Sequence, residues 1–271
     1  MTPLLICVWV CAVACALTWL LSLVTHEYSW VDRLWSIIPV VYLWIFAGAT
    51  GFADKRLDMM AGLVTLWGVR LTVNFARKGG YRVGGEDYRW GVLRAGMSRA
   101  SFAAFNLFFI VIYQNILLLL ICLPGWTAFQ HQIPLDPLDV LCAVLFLAFL
   151  LGETIADQQQ WDFHEWKSSE IAAGRSGDPG FLQTGLFRFS RHPNYFFEQA
   201  QWWIIFFFGC VAAGSVLQWT VIGPALLSVL FIGSTVFTEK ISRTKYPGYA
   251  DYQRRVSAII PWFPRGSASR P

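Results

Sequence analysis

Charged side chains are scarce in this sequence. Only 14% of its 271 residues are Asp, Glu, Lys or Arg, whereas 56% are hydrophobic and the mean hydropathy is +0.48. About a quarter of an average soluble domain is charged, so too few charges are present to cover the apolar residues of one water-soluble globule. The high hydrophobicity equally argues against an intrinsically disordered chain. The composition predicts that lipid surrounds most of the protein.

Partners for the cysteines are also lacking. All six cysteines fall inside apolar runs, and no His or acidic residue accompanies Cys7, Cys11 and Cys15, which recur every fourth residue. We therefore expect reduced packing residues and no metal site. The net charge of +4 is modest, and no basic stripe is interleaved with aromatic residues. Nucleic acid is accordingly not an expected partner.

Long apolar runs predict an all-α integral membrane bundle of about seven transmembrane helices, because about 20 apolar residues cross a bilayer. The first run lacks the basic start and cleavage pattern of a signal peptide, so we interpret it as a retained helix. We expect Pro224 to form a tight turn between the last two spans. The runs cover residues 2–24, 34–52, 60–76, 101–123, 138–156, 200–222 and 224–237.

Sequence repeats and flexible linkers are absent, which predicts a single multi-pass membrane domain over residues 1–271. Within it, residues 1–60 hold the first two helices and their loop, and residues 61–265 hold the rest. No retention or transit signal separates an endoplasmic reticulum membrane from a bacterial inner membrane. The oligomeric state is left open.

Basic residues orient the predicted spans. Segments 77–100 and 157–199 and the tail beyond Thr238 are rich in Lys and Arg, whereas segment 124–137 contains neither. The positive-inside rule then places the N-terminus outside and the C-terminus in the cytoplasm. Lys55 and Arg56, in a predicted short outer loop, are the exception.

The predicted cytoplasmic segments mix guanidinium groups with aromatic and amide side chains. Such a mixture suits a polyanion with a flat ring system, for example a phosphorylated nucleotide. The alternative is a collar of cations that contacts anionic membrane lipids. Pro193 favours a turn or a first helical turn, and in a helix Asn194 and Glu198 would lie on one face at the membrane border.

Three motifs together resemble the steroid 5α-reductase superfamily, specifically its C-terminal domain type, from about residue 30 to 263. The superfamily includes sterol reductases and, more distantly, isoprenylcysteine carboxyl methyltransferases. The motifs are Arg191-His192-Pro193-Asn194-Tyr195 with Glu198; Lys245-Tyr246-Pro247-Gly248-Tyr249 continuing to Arg255 and Ile260-Pro261; and Trp67-Gly68-Val69-Arg70-Leu71 with Arg77 and Glu86-Asp87-Tyr88-Arg89-Trp90.

The resemblance implies an NADPH-dependent oxidoreductase that reduces a C=C bond of a lipid or steroid-like substrate, with residues 61–265 forming the reductase-like region. Cations would bind the phosphates of NADPH, and a Gly-x-Gly-x-x-Gly cradle is absent. The implied cofactor-binding residues are Arg70, Arg77, Lys78, Arg89, Asp157, Gln160, Lys167, Arg191, His192, Asn194, Tyr195, Glu198, Arg243, Tyr246 and Tyr252.

The catalytic positions depart from the family pattern. Steroid 5α-reductases use a Glu and a Tyr to polarise the substrate oxygen, and here Asp32 and Trp67 lie at or close to those positions. An indole N–H donates a hydrogen bond but delivers no proton at neutral pH, so steroid specificity is not implied. Asp32 has the alternative of an ion pair with Arg33 or Arg70.

Polar residues inside the spans have two interpretations. Asn115 and Glu153 are candidates to line a substrate cavity, or they join helices through hydrogen bonds. Two other functions also fit the residues. One is methyl transfer from S-adenosylmethionine, as in the methyltransferase relatives, and the other is a non-catalytic lipid-binding membrane protein.

Overall fold

The computed structural model describes residues 1–265, which are almost entirely helical and contain no β-strand. A π-helical segment, Asn106–Tyr113, separates α6 from α7. The helices are α1 (Pro3–Thr25), α2 (Trp30–Trp35), α3 (Ile38–Ala49), α4 (Lys55–Arg77), α5 (Tyr88–Ala95), α6 (Arg99–Phe105), α7 (Gln114–Gln130), α8 (Pro137–Ala172), α9 (Pro193–Ala213), α10 (Ile222–Lys245) and α11 (Tyr249–Arg255).

Seven helices or helix pairs of the described chain are long and apolar enough to cross a membrane. This confirms the predicted number of spans and the all-α class. The N-outside orientation stays a prediction. The spans are Pro3–Thr25, Trp30–Ala49, Lys55–Arg77, Arg99–Gln130, Pro137–Ala172, Pro193–Ala213 and Trp219–Lys245.

Several predicted helix boundaries are wrong. The sixth span ends at Ala213, where Gly214 adopts a left-handed φ of 63° that favours glycine. Pro224 forms no turn, because it lies in the first turn of α10, where a proline costs no backbone hydrogen bond. Pro124 lies inside α7, so that span extends beyond residue 123. The span expected over 138–156 continues as helix to Ala172.

The chain forms two compact units. Unit 1 comprises Met1–Phe146 and Trp202–Leu227, and unit 2 comprises Leu147–Gln201 and Ser228–Pro271, described to residue 265. The helices α8, α9 and α10 each contribute to both units.

Unit 1 packs its helices through close approach and buried amides. A Cβ at Gly68 of α4 would lie 2.5 Å from the Ser36 carbonyl oxygen, so only glycine permits this approach. The Asn115 side chain donates to the Thr18 hydroxyl over 3.3 Å and thereby joins α7 to α1. Asn115 thus makes an interhelical hydrogen bond, which was the alternative to a substrate-lining role.

A buried ion pair fixes one end of unit 1. The Arg56 guanidinium donates to both carboxylate oxygens of Asp139 over 2.7 Å, and both side chains are fully inaccessible to solvent. The carbonyls of Ile133 and Pro134 accept further bonds from it. The expected loop position of Arg56 is therefore wrong, since Arg56 is a helical residue whose charge is neutralised by Asp139.

Unit 2 is organised around a cluster of aromatic side chains. The Phe181 ring contacts the rings of Tyr246, Tyr249 and Tyr252 at centroid distances of 4.9 to 5.7 Å. These contacts fasten the segment after α8 to α11. A Cβ at Gly180, whose φ is 80°, would lie 2.4 Å from the Tyr246 ring, so glycine is required there.

Candidate functional site

The structure places the predicted site residues in both units. Those in unit 1 are Asp32, Trp67, Arg70, Arg77, Lys78, Arg89 and Asn115. Those in unit 2 are Glu153, Asp157, Gln160, Lys167, Arg191, His192, Asn194, Tyr195, Glu198, Arg243, Tyr246 and Tyr252.

The first turn of α9 presents the central motif in unit 2. The helix begins at Pro193, one of the two positions that the sequence allowed for this proline and seven residues before the predicted start of the span. The His192 ring stacks on Tyr195 with centroids 5.2 Å apart and an interplanar angle of 18°. The Asn194 amide donates to the Asp157 carboxylate over 3.4 Å, and Glu198 is buried one helical turn further on. Carboxylate and amide groups from α8 and α9 thus lie together.

Buried polar atoms continue along these helices. The Gln201 amide donates to the Glu153 carboxylate over 2.7 Å, and both side chains are buried. Three further buried oxygens, on α9 and α10, have no hydrogen-bond partner within residues 1–265: Gln201 Oε1, Thr235 Oγ1 and Thr238 Oγ1. Such an atom costs about 1–3 kcal/mol when it stays unsatisfied, so each of them calls for a partner that the described residues do not supply.

Arg191 is held in a network of its own. Its guanidinium donates to Glu239 over 2.6 and 3.0 Å, and to the Gln253 and Val256 carbonyls. Nε2 of His192 lies 3.1 Å from Glu239 Oε1, and the Gln253 amide donates to Oε2 over 2.7 Å. The predicted phosphate-binding arginine is therefore already paired with a carboxylate.

Lys167 joins α8 to the aromatic cluster. Its ammonium donates to the Tyr246 hydroxyl over 2.8 Å and to the Gly180 carbonyl over 2.7 Å. Burial acts to raise the pKa of Tyr246, but the Lys167 hydrogen bond and charge outweigh it and leave that pKa below its ordinary value. The Tyr252 hydroxyl donates to the Phe187 carbonyl over 2.5 Å, and burial raises the pKa of Tyr252.

Gln160 and Arg243 lie at the margin of unit 2. Gln160 is half-buried and Arg243 is exposed. The neighbouring residue Gln159 forms a hydrogen bond within unit 2: its side-chain carbonyl accepts from the Leu186 N–H over 2.9 Å. A shallow cavity of about 300 Å³ opens beside it, lined among others by Asp162, Phe163 and Trp166.

Asp32 of unit 1 makes no ion pair with Arg33. Its carboxylate accepts a hydrogen bond from the Trp90 indole over 3.1 Å. Arg33 donates instead to Glu27 over 2.7 Å and to the Gly80 carbonyl over 3.0 Å. The ion pair between Arg33 and Asp32, which was one alternative from the sequence, therefore does not form. The bonds of Arg33 instead fasten α2 to the loop after α4.

Trp67 is fully buried, and its Nε1 has no acceptor within the described residues. Its ring meets that of Trp202 edge to face with centroids 4.9 Å apart. Trp202 is also buried, at 1% exposure, so its ring is not exposed as it would be in a tryptophan at the membrane–water interface. Both indole N–H groups of this pair lack a partner among residues 1–265.

The remaining predicted cations of unit 1 lie near the end of α4 and the start of α5. The Arg77 guanidinium donates to the Asn74 side chain over 2.9 Å, and Arg89 pairs with Asp87 over 2.7 Å. Lys78 caps the end of α4 and is exposed, whereas Arg70 is half-buried. No group of three or more His, Cys, Asp or Glu side chains that could hold a metal ion occurs within residues 1–265.

Sequence reasoning missed Glu239, the carboxylate at the centre of the Arg191 network. The predicted seventh span stopped at residue 237, so Glu239 was counted with the basic tail. Because α10 continues to Lys245, Glu239 is an ionisable residue within a span, and such residues mark functional or tightly paired positions. A correct helix boundary would have singled it out.

Seven apolar helices and their buried polar groups support the class of a multi-pass helical membrane protein. Residues 18–256 match the family described as "Protein of unknown function (DUF1295)", and the chain belongs to that family. It is 39% identical over 262 residues to "Uncharacterized protein C594.04c" of Schizosaccharomyces pombe, a match that covers 90% of this chain and 75% of the relative. No solved structure matches the chain.

Proposed function

We propose that the protein is a membrane-embedded, NADPH-dependent reductase that acts on an enone-type C=C bond of a steroid-like or other lipid. The motif resemblance supports this proposal, as does the inclusion of steroid 5α-reductase-like proteins in the DUF1295 family. The observation that carries it is the set of buried, unpartnered oxygens at Gln201, Thr235 and Thr238 in unit 2. The proposed orientation puts the C-terminus in the cytoplasm of a cell with either an endoplasmic reticulum or a bacterial inner membrane.

The polar side chains of unit 2 suit the polar parts of a dinucleotide. Asp157, Asn194 and Glu198 offer carboxylate and amide groups, and Tyr195 and His192 offer stacked rings. Bound NADPH supplies the hydride. In this proposal Arg191 is a positioning residue, because its guanidinium holds the Glu239 carboxylate in place.

The reacting lipid needs a donor at its carbonyl oxygen, since negative charge develops there as the double bond is reduced. In unit 1, the Trp67 indole N–H is buried and has no acceptor among the described residues. The Asp32 carboxylate accepts from the Trp90 indole and also interacts with the Ser29 hydroxyl. We assign these two residues to polarise the substrate oxygen, with Asp32 as the group able to move a proton.

Methyl transfer from S-adenosylmethionine is the second candidate, and one observation favours it. The Arg191 guanidinium is already bonded to Glu239 and to two carbonyls. Fewer cations are therefore available for phosphates than the sequence suggested. A cofactor without phosphates needs fewer arginines.

Thermal unfolding of the detergent-purified chain with NADPH, NADH or S-adenosylmethionine tests these functions. A ligand at 100 times its dissociation constant stabilises by about 2.7 kcal/mol, and we expect this effect from NADPH. Stabilisation by S-adenosylmethionine alone would replace the reductase with the methyltransferase. A response to none of the three would favour a non-catalytic lipid-binding protein.

The substitution Thr235→Val sharpens the test. It removes an unpartnered hydroxyl while keeping the shape, so the unliganded protein should be as stable as before or more so. We expect the stabilisation by NADPH to shrink. Thr244→Val on the same helix is the control, because that exposed hydroxyl already bonds the Lys240 carbonyl. Equal NADPH responses of both variants would remove Thr235 from the site.

The variants Asp32→Asn and Trp67→Phe test the polarising groups. We expect turnover of an enone lipid to fall by about 10²-fold or more, as for loss of an oxyanion donor, while stabilisation by NADPH stays unchanged. Trp44→Phe is the matched control, because the Trp44 indole is already bonded to Thr65. Full activity of Asp32→Asn would refute its assignment.

A further inference from the structure

The segment after α11 is fastened to the end of a membrane span. The Arg191 N–H donates to the Ser257 carbonyl over 2.8 Å, and the Trp262 N–H donates to the Phe189 carbonyl over 2.9 Å. The residues that receive the segment directly precede α9, a candidate span. Residues 256–265, here called the tail segment, therefore lie where α9 leaves the bilayer.

Two arginines lie next to each other at the tail segment. The backbone N–H of Arg265 donates to the backbone carbonyl of Arg255 over 2.9 Å, which brings these residues side by side although ten positions separate them. Both side chains are exposed, and neither has a carboxylate partner within residues 1–265. The neighbouring Arg254 is paired with Asp251. A cavity of about 340 Å³ has both arginines in its lining.

Apolar side chains project from the same segment. Trp262 and Phe263 are 71% and 77% exposed, and Ile260 is 66% exposed. Aromatic residues beside arginine are typical of the headgroup region of a membrane, where a ring is half in lipid and a guanidinium contacts phosphate. In water these three side chains would form an unfavourable apolar patch.

We propose that the tail segment binds the phosphate of an anionic phospholipid headgroup. Arg255 and Arg265 hold the phosphate, and Trp262 and Phe263 insert between the headgroups beside it. The charge complementarity of two guanidinium groups without a carboxylate partner among residues 1–265 and the position at the start of α9 select a lipid as the occupant. Arg191 also lines this cavity, but the proposed lipid site uses none of the buried oxygens of α9 and α10 that carry the proposed function.

Binding is tested with the full chain in neutral detergent, by thermal unfolding in the presence of short-chain phosphatidylglycerol, short-chain phosphatidylcholine or inorganic phosphate. We expect stabilisation by phosphatidylglycerol and much less by the other two. The double variant Arg255→Gln/Arg265→Gln should weaken phosphatidylglycerol binding about 25-fold, since each arginine near an anionic surface contributes about fivefold.

The matched control is Arg82→Gln/Arg99→Gln. It lowers the formal net charge of +4 by two, as the test variant does, and it changes two exposed arginines of unit 1. We expect the control to bind phosphatidylglycerol like the unaltered protein. An equal loss in both double variants would mean unspecific attraction and would overturn the proposal.

A second variant, Trp262→Ala/Phe263→Ala, separates a lipid from a soluble phosphate. It should weaken binding of phosphatidylglycerol and leave any response to inorganic phosphate unchanged. Inorganic phosphate that stabilises as strongly as the lipid would overturn the proposal in favour of a soluble ligand. Because all four substituted side chains are exposed, the lipid-free unfolding temperatures should match, and the result is independent of whether NADPH binds.

Discussion

Arg56 of unit 1 and Arg191 of unit 2 are both paired with a carboxylate, but their surroundings differ. The Arg56 and Asp139 side chains are both 0% exposed, whereas those of Arg191 and Glu239 are 9% exposed. The Arg56 guanidinium also donates to two loop carbonyls. Glu239 also accepts from Gln253 and lies 3.1 Å from the His192 ring.

The difference separates an ion pair that holds backbone groups from one that holds side chains of the proposed site. The Asp139 carboxylate also accepts from the Asp136 N–H over 2.8 Å, and Arg56 donates to the loop between α7 and α8, so this pair closes that connection. Glu239 instead holds the side chains of Arg191 and Gln253 and lies beside the His192 ring. Arg191 also lines the cavity beside the tail segment.

Asp139→Asn should have the largest effect on stability. It leaves the Arg56 charge buried without a counter-charge, which costs about 3–5 kcal/mol. Chemical unfolding in mixed micelles measures the loss, and Arg56→Met/Asp139→Leu should recover most of it, because both charges are then gone. Asp58→Asn, next to the exposed Lys55, should cost under about 1 kcal/mol. A similarly small loss in Asp139→Asn would contradict the structural role of the pair.

Glu239→Gln makes the same carboxylate-to-amide change in unit 2 and should cost less. The Arg191 guanidinium keeps its bonds to two backbone carbonyls, so we expect a loss of about 1.5–3 kcal/mol from the charge-assisted bonds. Unlike Asp139→Asn, it should also reduce the stabilisation by NADPH in the thermal assay. The contrast between the two arginines fails if Glu239→Gln and Asp139→Asn lose the same stability and leave NADPH binding equally unaffected.

Tyr252→Phe tests how firmly α11 is fastened beside the Arg191 network. Loss of its 2.5 Å hydrogen bond to the Phe187 carbonyl should cost about 0.5–1.5 kcal/mol in unfolding experiments. Tyr113→Phe is a suitable comparison, since that hydroxyl donates over a longer 3.3 Å and should matter less. A larger loss in Tyr113→Phe would show that the Tyr252 bond is not the stronger fastening.

The smallest expected effect is a pH dependence of unit 2 at alkaline pH. The pKa of Tyr246 is lowered in the folded protein, so the unfolded chain binds more protons between that pKa and about 10. Tyr246 therefore adds stability as the pH rises through this window. Tyr249 and Tyr252, whose pKa values burial raises, act oppositely above about pH 10.

Unfolding free energies of the unaltered protein and Tyr246→Phe, measured from pH 8 to 10, check this sign. The variant should lack the gain in that window, and the first step of an alkaline absorbance titration should disappear with it. The inferred influence of Lys167 on Tyr246 would be wrong if the first ionising tyrosine persisted in Tyr246→Phe.

The sequence predicted the number of spans because each needs only a local run of apolar residues. It allowed a first helical turn at Pro193 for the same local reason, although it began the span at residue 200. It failed at Pro224 and beyond residue 156, because a proline is tolerated in a first helical turn and because polar residues extend α8 to Ala172. Hydropathy detects where lipid ends, and a helix can continue past that point.

The site was only partly predictable. The motif Arg191 to Glu198 was evident in the sequence, but the partner of Arg191 was not, since Glu239 is distant along the chain. Likewise, an ion pair with Arg33 was one alternative for Asp32 in the sequence, but its carboxylate accepts from Trp90, which is 58 positions away. Residue type indicates that a charge needs a partner, whereas packing decides which one it receives.

Composition and apolar periodicity by themselves determined that this chain is helical and multi-pass, because the free energy of placing a segment in lipid is a sum over its own residues. Only the tertiary structure decided that Arg56 is buried against Asp139, that Arg191 is held by Glu239, and that Arg255 and Arg265 line one cavity. Such pairings join residues distant in sequence, and their strength depends on distance, burial and hydrogen-bond geometry, which arise only when the helices pack.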